Sequence, residues 1–162
     1  WAGSLKPGAE VLELACGGGL PVTRELQSAG LRVWAVDASP TLVATFSSRF
    51  PDIPVQCTTV QASDFFARRF DAVVAVGLMF LLPAAEQAAL IAKVSLALKP
   101  GGRFLFSAPL EDCEWLDVLT GQTCCSLGRQ RYAACFADCG LQLLSTWSDE
   151  GGNNHYDVLR VR

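Results

Sequence analysis

Three consecutive glycines, Gly17, Gly18 and Gly19, separate an apolar run from a segment with helical spacing. Residues 10–15 predict a strand, and residues from about 21 to 29 predict a helix that ends at Gly30. A strand, a glycine-rich turn and a helix in this order are typical of the first unit of an open α/β sheet. The missing side chains would let the backbone approach a ligand closely.

Short apolar runs and longer amphipathic segments continue to alternate along the chain, which predicts βαβ units and a parallel sheet. Further strands are predicted at residues 32–36, 53–57, 70–76 and 103–107. Further helices are predicted at about 40–50, 83–98 and 129–139. Prolines beside the strand at 53–57 favour a sheet edge, and the largely apolar run at 70–76 favours a central strand.

The last third of the chain is less regular. Residues 108–128 show no clear pattern. Residues 141–147 and 156–161 predict two final strands, which must be antiparallel because the turn between them is short. No internal repeat or linker interrupts the sequence, so we expect one α/β domain over residues 1–162.

Charge and cysteine content limit the possible partners. The formal net charge is −3 and no basic cluster is present, so we expect no nucleic-acid partner. The longest apolar run, residues 72–83, is too short to cross a bilayer, so we expect no membrane partner. The seven cysteines include no CxxC pair and accompany a single histidine, which predicts no metal site and a reducing, cytoplasmic location.

The ligand of the glycine turn is indicated by an acid at a second position. Asp37 ends the second predicted strand, twenty residues after Gly17, where an acid can bind the ribose hydroxyls of an adenosine-containing ligand. Val22 stands where a dinucleotide fingerprint has its third glycine. Glu13 would repel a phosphate but attract an ammonium group. These two residues favour S-adenosylmethionine (SAM), with a nucleotide-dependent oxidoreductase as the disfavoured alternative.

Over nearly its whole length the sequence resembles class I SAM-dependent methyltransferases. The similar segments are VLELACGGG at 11–19, VDAS at 36–39, FDAVVAVGLMFLL at 70–82 and LKPGGRFLFSAP at 98–109. The resemblance implies a Rossmann-like, seven-stranded, mostly parallel sheet with an antiparallel last strand and helices on both faces. It also implies that the helical cap usual before the first strand is missing, since only residues 1–9 precede that strand.

The resemblance further implies how the donor is bound. Glu13, where the family usually has Asp, would act on the methionine amino group. Backbone at Ala15, where the family usually has Gly, and at Gly17 and Gly19 would line the tail and the ribose. Asp37 would bind both ribose hydroxyls.

Three more positions would complete the donor site. Ala38 would lie beside the adenine. Gln61, followed by Ala62, stands where many members have an acid that accepts the adenine amino group, and Asp64 is the alternative for that contact. Val76 would face the reactive methyl group.

The acceptor site is expected in three loops at the carboxyl edge of the sheet: Met79 with Phe80, residues 108–128, and residues 149–155. Catalytic candidates there are His155, a possible general base, and Tyr132. The predicted function is transfer of a methyl group from SAM to a small molecule, with a protein acceptor also possible and the oligomeric state left open. The alternative is a degenerate, SAM-binding partner subunit, which Gln61 and the short amino-terminal segment would suit.

Overall fold

The computed structural model describes residues 1–118 and 120–161. In these ranges the helices are α1 (Val22–Ser28), α2 (Pro40–Arg49), α3 (Ala84–Ala97) and α4 (Gly128–Asp138). The strands are β1 (Glu10–Leu14), β2 (Arg32–Asp37), β3 (Val55–Cys57), β4 (Phe70–Ala75), β5 (Leu98–Ser107), β6 (Asp112–Leu116), β7 (Thr123–Leu127), β8 (Leu141–Ser148) and β9 (Asn154–Arg160).

Seven of these strands form one sheet in the order β3-β2-β1-β4-β5-β9-β8. The pairs from β3 to β5 are all parallel, whereas β9 is antiparallel to both β5 and β8. The predicted seven-stranded sheet with an antiparallel last strand is therefore confirmed. Strand β3, with its neighbouring prolines, lies at one edge as expected, and the apolar β4 lies in the centre.

Helices cover both faces of the sheet because the central strands are apolar on both sides. On one face, α3 and α4 pack against an aromatic cluster that includes Phe104, Phe106 and Tyr156. On the other face, Phe46 of α2 and Leu26 of α1 pack against β1, β2 and β4. The sheet is thus fixed on both sides, and its carboxyl edge carries the loops.

Residues 108–128, for which the sequence shows no pattern, contain a second small sheet. Strands β6 and β7 form an antiparallel hairpin in which Asp112 pairs with Leu127 and Trp115 pairs with Cys124. Gln87 of α3 anchors this hairpin, since its Nε2 donates to the carbonyl oxygen of Cys125 at 2.9 Å. The expectation of an irregular segment was therefore wrong for these ten residues.

Strand β5 begins earlier than predicted. Leu98 already pairs with Phe70, and a register shift then absorbs the turn at Gly101 before Arg103 pairs with Leu159 of β9. The residues before Arg103, which lie outside the predicted strand, therefore form an irregular first part of β5.

Ion pairs cluster at the edge of the sheet opposite to the carboxyl ends. The buried Glu10 at the start of β1 contacts Arg32, Arg68 and Lys99 at 2.7–3.3 Å, and Lys99 also contacts Asp71 at 3.0 Å. Nearby, Arg103 pairs with Asp157, which also accepts from the Trp1 indole. None of the helices in the described ranges is long and apolar enough to cross a bilayer.

Candidate active site

The predicted donor residues lie in a row along the carboxyl edge of the parallel strands. Glu13 pairs with Ala35 of β2 and Val74 of β4 near the ends of these strands. Asp37 ends β2, and Val76 follows β4. The parallel arrangement therefore brings to one edge residues that are far apart in the sequence.

Asp37 is held in the turn by two backbone amides. Its Oδ2 accepts from the Gly17 N–H at 2.8 Å, and its Oδ1 accepts from the Ser39 N–H at 2.8 Å. Each carboxylate oxygen can accept more than one hydrogen bond, so both retain capacity for a ligand hydroxyl. The carboxylate is buried and its orientation is fixed by these two hydrogen bonds, an arrangement that suits recognition of a ribose diol.

Glu13 is a buried carboxyl group beside Asp37. Burial raises the pKa of Glu13 to about 7, and the negative charge of Asp37 adds to this rise, while the hydrogen bond from Thr23 opposes it. That bond joins Thr23 Oγ1 to Glu13 Oε2 at 2.5 Å. Among the described residues, no lysine, arginine or histidine forms an ion pair with Glu13. Two neighbouring acidic groups without a positively charged partner at Glu13 suit a positively charged ligand group.

The glycines of the turn serve different purposes. Gly17 has φ 55° and open space at the place of a Cβ, so it leaves the cleft side free. Gly19 has φ 83°, and a Cβ there would lie 2.3 Å from the Phe50 ring. The Arg49 guanidinium donates to the Gly18 carbonyl oxygen at 2.8 Å. The turn is thus packed against the end of α2 on one side and open on the other.

Ala15 adopts a left-handed conformation with φ 55°. This is the position at which the resembling family usually has glycine. The conformation is unfavourable for a residue with a Cβ, by about 1 kcal/mol. This left-handed residue makes the sharp bend between β1 and the glycine turn.

The predicted adenine contacts lie in the loop after β3. The Gln61 side-chain amide donates to Glu86 of α3, which leaves the Gln61 amide oxygen as an acceptor. Ala62 follows it and is exposed. Asp64 instead binds within the loop, accepting from Gln56 Nε2 at 2.7 Å and from the Phe66 N–H at 2.9 Å. Both of these bonds use Asp64 Oδ1, so Gln61 and Asp64 each keep an acceptor oxygen, and the adenine contact stays a prediction.

The other cleft positions are open. Ala38 is exposed, and Val76 is 36% exposed where β4 ends. The Gly77 N–H donates to Ser107 Oγ at 2.8 Å, which ties the end of β4 to the end of β5. Val76 therefore stands between the donor positions and the loops that follow β5.

A cavity of about 290 Å³ opens next to Ser107. Phe80 and Trp115 supply aromatic walls, with ring centroids 5.7 Å apart. Asn153 and Asn154 supply polar groups from the turn before β9. The cavity joins all three loops in which the sequence analysis expects the acceptor.

His155 faces Ser107 across the β5–β9 pair. Its Nε2 lies 2.9 Å from Asp149 Oδ2, and its ring stacks on Trp147. The contact with His155 lowers the pKa of Asp149 to about 2, helped by bonds from Asn153. The His155 Nδ1 is buried with no hydrogen-bond partner among the described residues. The catalytic role of His155 stays a prediction, and this geometry favours a role in holding the turn.

Tyr132 lies inside the domain. It is 0% exposed, and its hydroxyl donates to Gln87 Oε1 at 2.6 Å. Burial raises its pKa to about 12. Its ring packs against Phe106 and Tyr156. An acceptor in the cleft cannot reach this hydroxyl. The burial of Tyr132 is therefore evidence against its predicted catalytic role.

Comparison with known proteins agrees with this geometry. The profile of a family described as "Methyltransferase domain" matches residues 11–102, more than half of the chain. The chain belongs to the methyltransferase domain family. A ubiquinone biosynthesis O-methyltransferase of Xanthomonas campestris pv. campestris is 33% identical over 106 residues. That match covers 62% of the chain and spans only 43% of the relative's length.

Solved structures confirm the class I fold of this methyltransferase domain. A 1,6-didemethyltoxoflavin-N1-methyltransferase of Burkholderia thailandensis, with its acceptor and S-adenosylhomocysteine bound, has a TM-score of 0.78 at 18% identity, covering 96% of the chain and 72% of that protein. A SAM-bound amino pentose methyltransferase of Micromonospora echinaspora has a TM-score of 0.76 at 18% identity, covering 94% of the chain and 84% of that protein.

Sequence reasoning missed several residues that shape the cleft of this methyltransferase domain. Thr23, which binds Glu13, and Arg49, which binds the glycine turn, lie outside any motif. Ser107 ends a recognisable strand, but its link to Gly77 depends on the pairing of β4 with β5. The helical periodicity of α1, in which Thr23 and Leu26 share the buried face, is the one signal that could have predicted the position of Thr23.

Proposed function

We propose that this protein is an enzyme that transfers a methyl group from SAM to a small, planar acceptor. The observation that carries the proposal is the placement of Asp37, a buried carboxylate held by the Gly17 and Ser39 amides at the end of β2. The family membership and the open backbone at Gly17 support it. Glu13 fits the amino group of the methionine tail, as it would not fit a pyrophosphate.

SAM would supply a methyl group on its sulfonium. A lone pair of the acceptor would form a bond to the methyl carbon in line with the breaking S–CH3 bond, and S-adenosylhomocysteine would leave as a neutral thioether. The residues of this chain bind and align the donor: Asp37 at the ribose, Glu13 at the tail, and Gln61 at the adenine. The acceptor must then lie on the side of Val76, with water kept away from the reacting atoms. A base from the chain is needed only for an acceptor that must lose a proton.

We propose the cavity beside Ser107 as the acceptor site. Its volume suits a molecule of one or two rings, and Phe80 and Trp115 offer aromatic faces for stacking. The relative from Xanthomonas is named for ubiquinone biosynthesis and the Burkholderia neighbour for a toxoflavin precursor, both small molecules. A planar small molecule with polar substituents toward Asn153 fits these observations better than a protein.

Calorimetric titration with S-adenosylhomocysteine tests the donor site. We expect micromolar binding by the wild type, a loss of about 100-fold in Asp37→Asn, and no binding of NAD. Asn keeps the shape of Asp37 but replaces one acceptor oxygen with a donor. The exposed Asp52 provides the control, because Asp52→Asn should bind like the wild type. NAD binding tighter than that of S-adenosylhomocysteine would instead support an oxidoreductase.

The acceptor proposal needs a separate measurement. With isotopically labelled SAM and a panel of phenols, catechols and aromatic heterocycles, the wild type should methylate at least one compound. Trp115→Ala should then raise KM for that acceptor about tenfold and leave the affinity for S-adenosylhomocysteine unchanged. Donor binding without transfer to any small molecule or protein would favour a SAM-binding partner subunit.

We also propose that the protein works in the cytoplasm. All seven cysteines are free thiols, and they are distributed over both cores and the surface. A reducing compartment suits this arrangement. Titration of the denatured protein with a thiol reagent should find seven reactive groups after purification without reductant, and fewer would argue for an oxidising compartment.

A further inference from the structure

Lys93 leaves α3 and extends beneath the loop that joins β3 to β4. Its Nζ donates to three backbone carbonyl oxygens of that loop, at 2.8 Å to Val60, 2.9 Å to Gln61 and 2.6 Å to Ser63. An ammonium group has three N–H donors, so all of them are used on one short segment of backbone. Lys93 therefore acts on the loop and has no donor left for a ligand.

The same loop continues into an unfavourable backbone conformation. Phe65, Phe66 and Ala67 have φ values of 52°, 58° and 50°. Residues with a Cβ seldom adopt this left-handed conformation, and three in succession require support from their surroundings. The Lys93 Nζ lies 4.5 Å from the centroid of the buried Phe65 ring, so the ammonium contacts both the loop and the start of this turn.

The Lys93 ammonium is partly buried at this position. Burial lowers the pKa of Lys93, and the nearby Asp64 opposes that change. Asp64 itself accepts hydrogen bonds from Gln56 and from the Phe66 N–H, and thereby caps the left-handed turn. Taking an ammonium partly out of water is unfavourable unless its hydrogen bonds are satisfied, and here the loop carbonyls satisfy them.

A second side chain of α3 acts on the same loop. Glu86, two turns before Lys93, accepts from the Gln61 side-chain amide. A carboxylate can only accept here, so it selects the amide orientation in which the nitrogen of Gln61 faces α3 and the oxygen remains for a ligand. Lys93 thus holds the backbone of Gln61, and Glu86 orients its side chain.

We propose that Lys93 is a positioning residue for the adenine end of the donor site. By binding three carbonyls it fixes residues 60–63, so that the Gln61 amide oxygen meets the amino group of adenine. This inference rests on the proposed function. It implies discrimination against a base that carries a carbonyl oxygen in place of that amino group, because two acceptors would then face each other.

The test compares dissociation constants for S-adenosylhomocysteine and S-inosylhomocysteine at a temperature at which every variant is folded. We expect Lys93→Met to bind S-adenosylhomocysteine about tenfold more weakly and S-inosylhomocysteine within about twofold of the wild type. Discrimination between the two bases should therefore largely disappear. A general loss of stability would not change this ratio.

Lys99 supplies the matched control. It also binds two oxygen partners, Glu10 and Asp71, but at the opposite edge of the sheet. Lys99→Met should lower the melting temperature and leave both dissociation constants unchanged. If Lys93→Met does not fold, Lys93→Arg replaces it, because a planar guanidinium cannot direct its donors to three carbonyls that converge on one point. A loss of about threefold in discrimination is then expected.

Two outcomes would overturn the proposal, and they are distinguishable. Wild-type discrimination in a folded Lys93 variant would overturn the positioning role alone. A wild-type protein that does not bind S-adenosylhomocysteine would overturn the proposed function and the positioning role with it.

Discussion

We expect Glu13 to couple donor binding to protonation. Its pKa is raised to about 7 by burial and by Asp37, so the carboxyl group of the free protein is largely protonated below that pH. The ammonium group of the donor tail prefers the charged form. The affinity for S-adenosylhomocysteine should therefore rise about tenfold between about pH 6 and pH 8, as measured by calorimetry.

Two controls separate this effect from a general influence of pH. Methylthioadenosine lacks the amino-acid tail, and its affinity should be nearly constant over the same range. Glu13→Gln does not titrate and should bind S-adenosylhomocysteine equally at both ends of the range. A pH-independent affinity in the wild type would show that Glu13 does not contact the tail.

Ala15 provides a test of backbone strain. Ala15→Gly should raise the free energy of unfolding by about 0.5 kcal/mol, because relief of the left-handed conformation exceeds the added flexibility of the unfolded chain. Ala44→Gly, at an exposed position within α2, should lower it by about 1 kcal/mol. Urea denaturation measures both changes, and a loss of stability in Ala15→Gly would show that its methyl group contributes more than the strain.

At this scale the spacing in the sequence pointed to Asp37 and Gly17 as one site. The structure joins them by a hydrogen bond that the sequence did not predict, and the role of Asp37 at a ribose stays a prediction. Gly19 could not be interpreted in the same way, because its closest obstacle is Phe50, which α2 brings to the turn. The catalytic role of Tyr132 stays a prediction. The burial that weighs against it could not be read from spacing, because the Tyr132 hydroxyl binds Gln87, a residue of another helix.

Among the elements, α3 contacts both the loop between β3 and β4 and the β6–β7 hairpin. Gln87 is fully buried and binds the carbonyl oxygens of Leu82 and Cys125 and the Tyr132 hydroxyl. Gln87→Leu should lower the free energy of unfolding by about 2 kcal/mol, because these groups lose their partners inside the protein. Hydrogen exchange should accelerate in β7 more than in β1.

Gln27 is the control for that substitution, since it is exposed on α1 and Gln27→Leu should change stability by less than about 0.5 kcal/mol. Tyr132→Phe removes a single bond and should cost about 1 kcal/mol. Equal effects of Gln87→Leu and Gln27→Leu would contradict the anchoring role of Gln87.

Most elements were predictable because their apolar periodicity is strong. Strands β1, β2 and β4 are mostly apolar, with their few charged residues near the strand ends. Helix α2 begins at a serine and proline, with Ser39 Oγ accepting from the Leu42 N–H at 3.4 Å. The β6–β7 hairpin was not predictable, since its strands have five residues each and alternate weakly between buried and exposed positions. Its pairing is stabilised by contacts with α3 that are distant in sequence.

At the scale of the whole molecule, acidic groups at the two ends of the strands make the free energy of unfolding depend on pH in opposite directions. Hydrogen bonds and charges from Lys99 lower the pKa of Glu10, and bonds from the Glu10 N–H and Lys99 lower that of Asp71. Their contribution to stability is lost as the pH falls below about 4. The pKa of Glu13 is raised, so Glu13 has the opposite effect. The protein loses stability as the pH rises from about 4.5 to about 7, because the buried carboxyl group must then give up its proton.

The free energy of unfolding should therefore be highest near pH 5 and fall by about 3 kcal/mol toward pH 8. Urea denaturation across this range measures the change. Glu13→Gln should remove the decline on the alkaline side and keep the decline in acid. A wild-type maximum at neutral pH would contradict the assigned ionisation of Glu13.

Strands β6 and β7 form a sheet of their own, yet they supply Trp115 to the cavity beside Ser107. Under the proposed function, acceptor choice would depend in part on a hairpin built apart from the sheet that carries the donor residues. Such a division would let the hairpin change without disturbing the residues proposed to bind the donor. Exchange of this hairpin between relatives would then alter the choice of acceptor and leave the affinity for the donor unchanged.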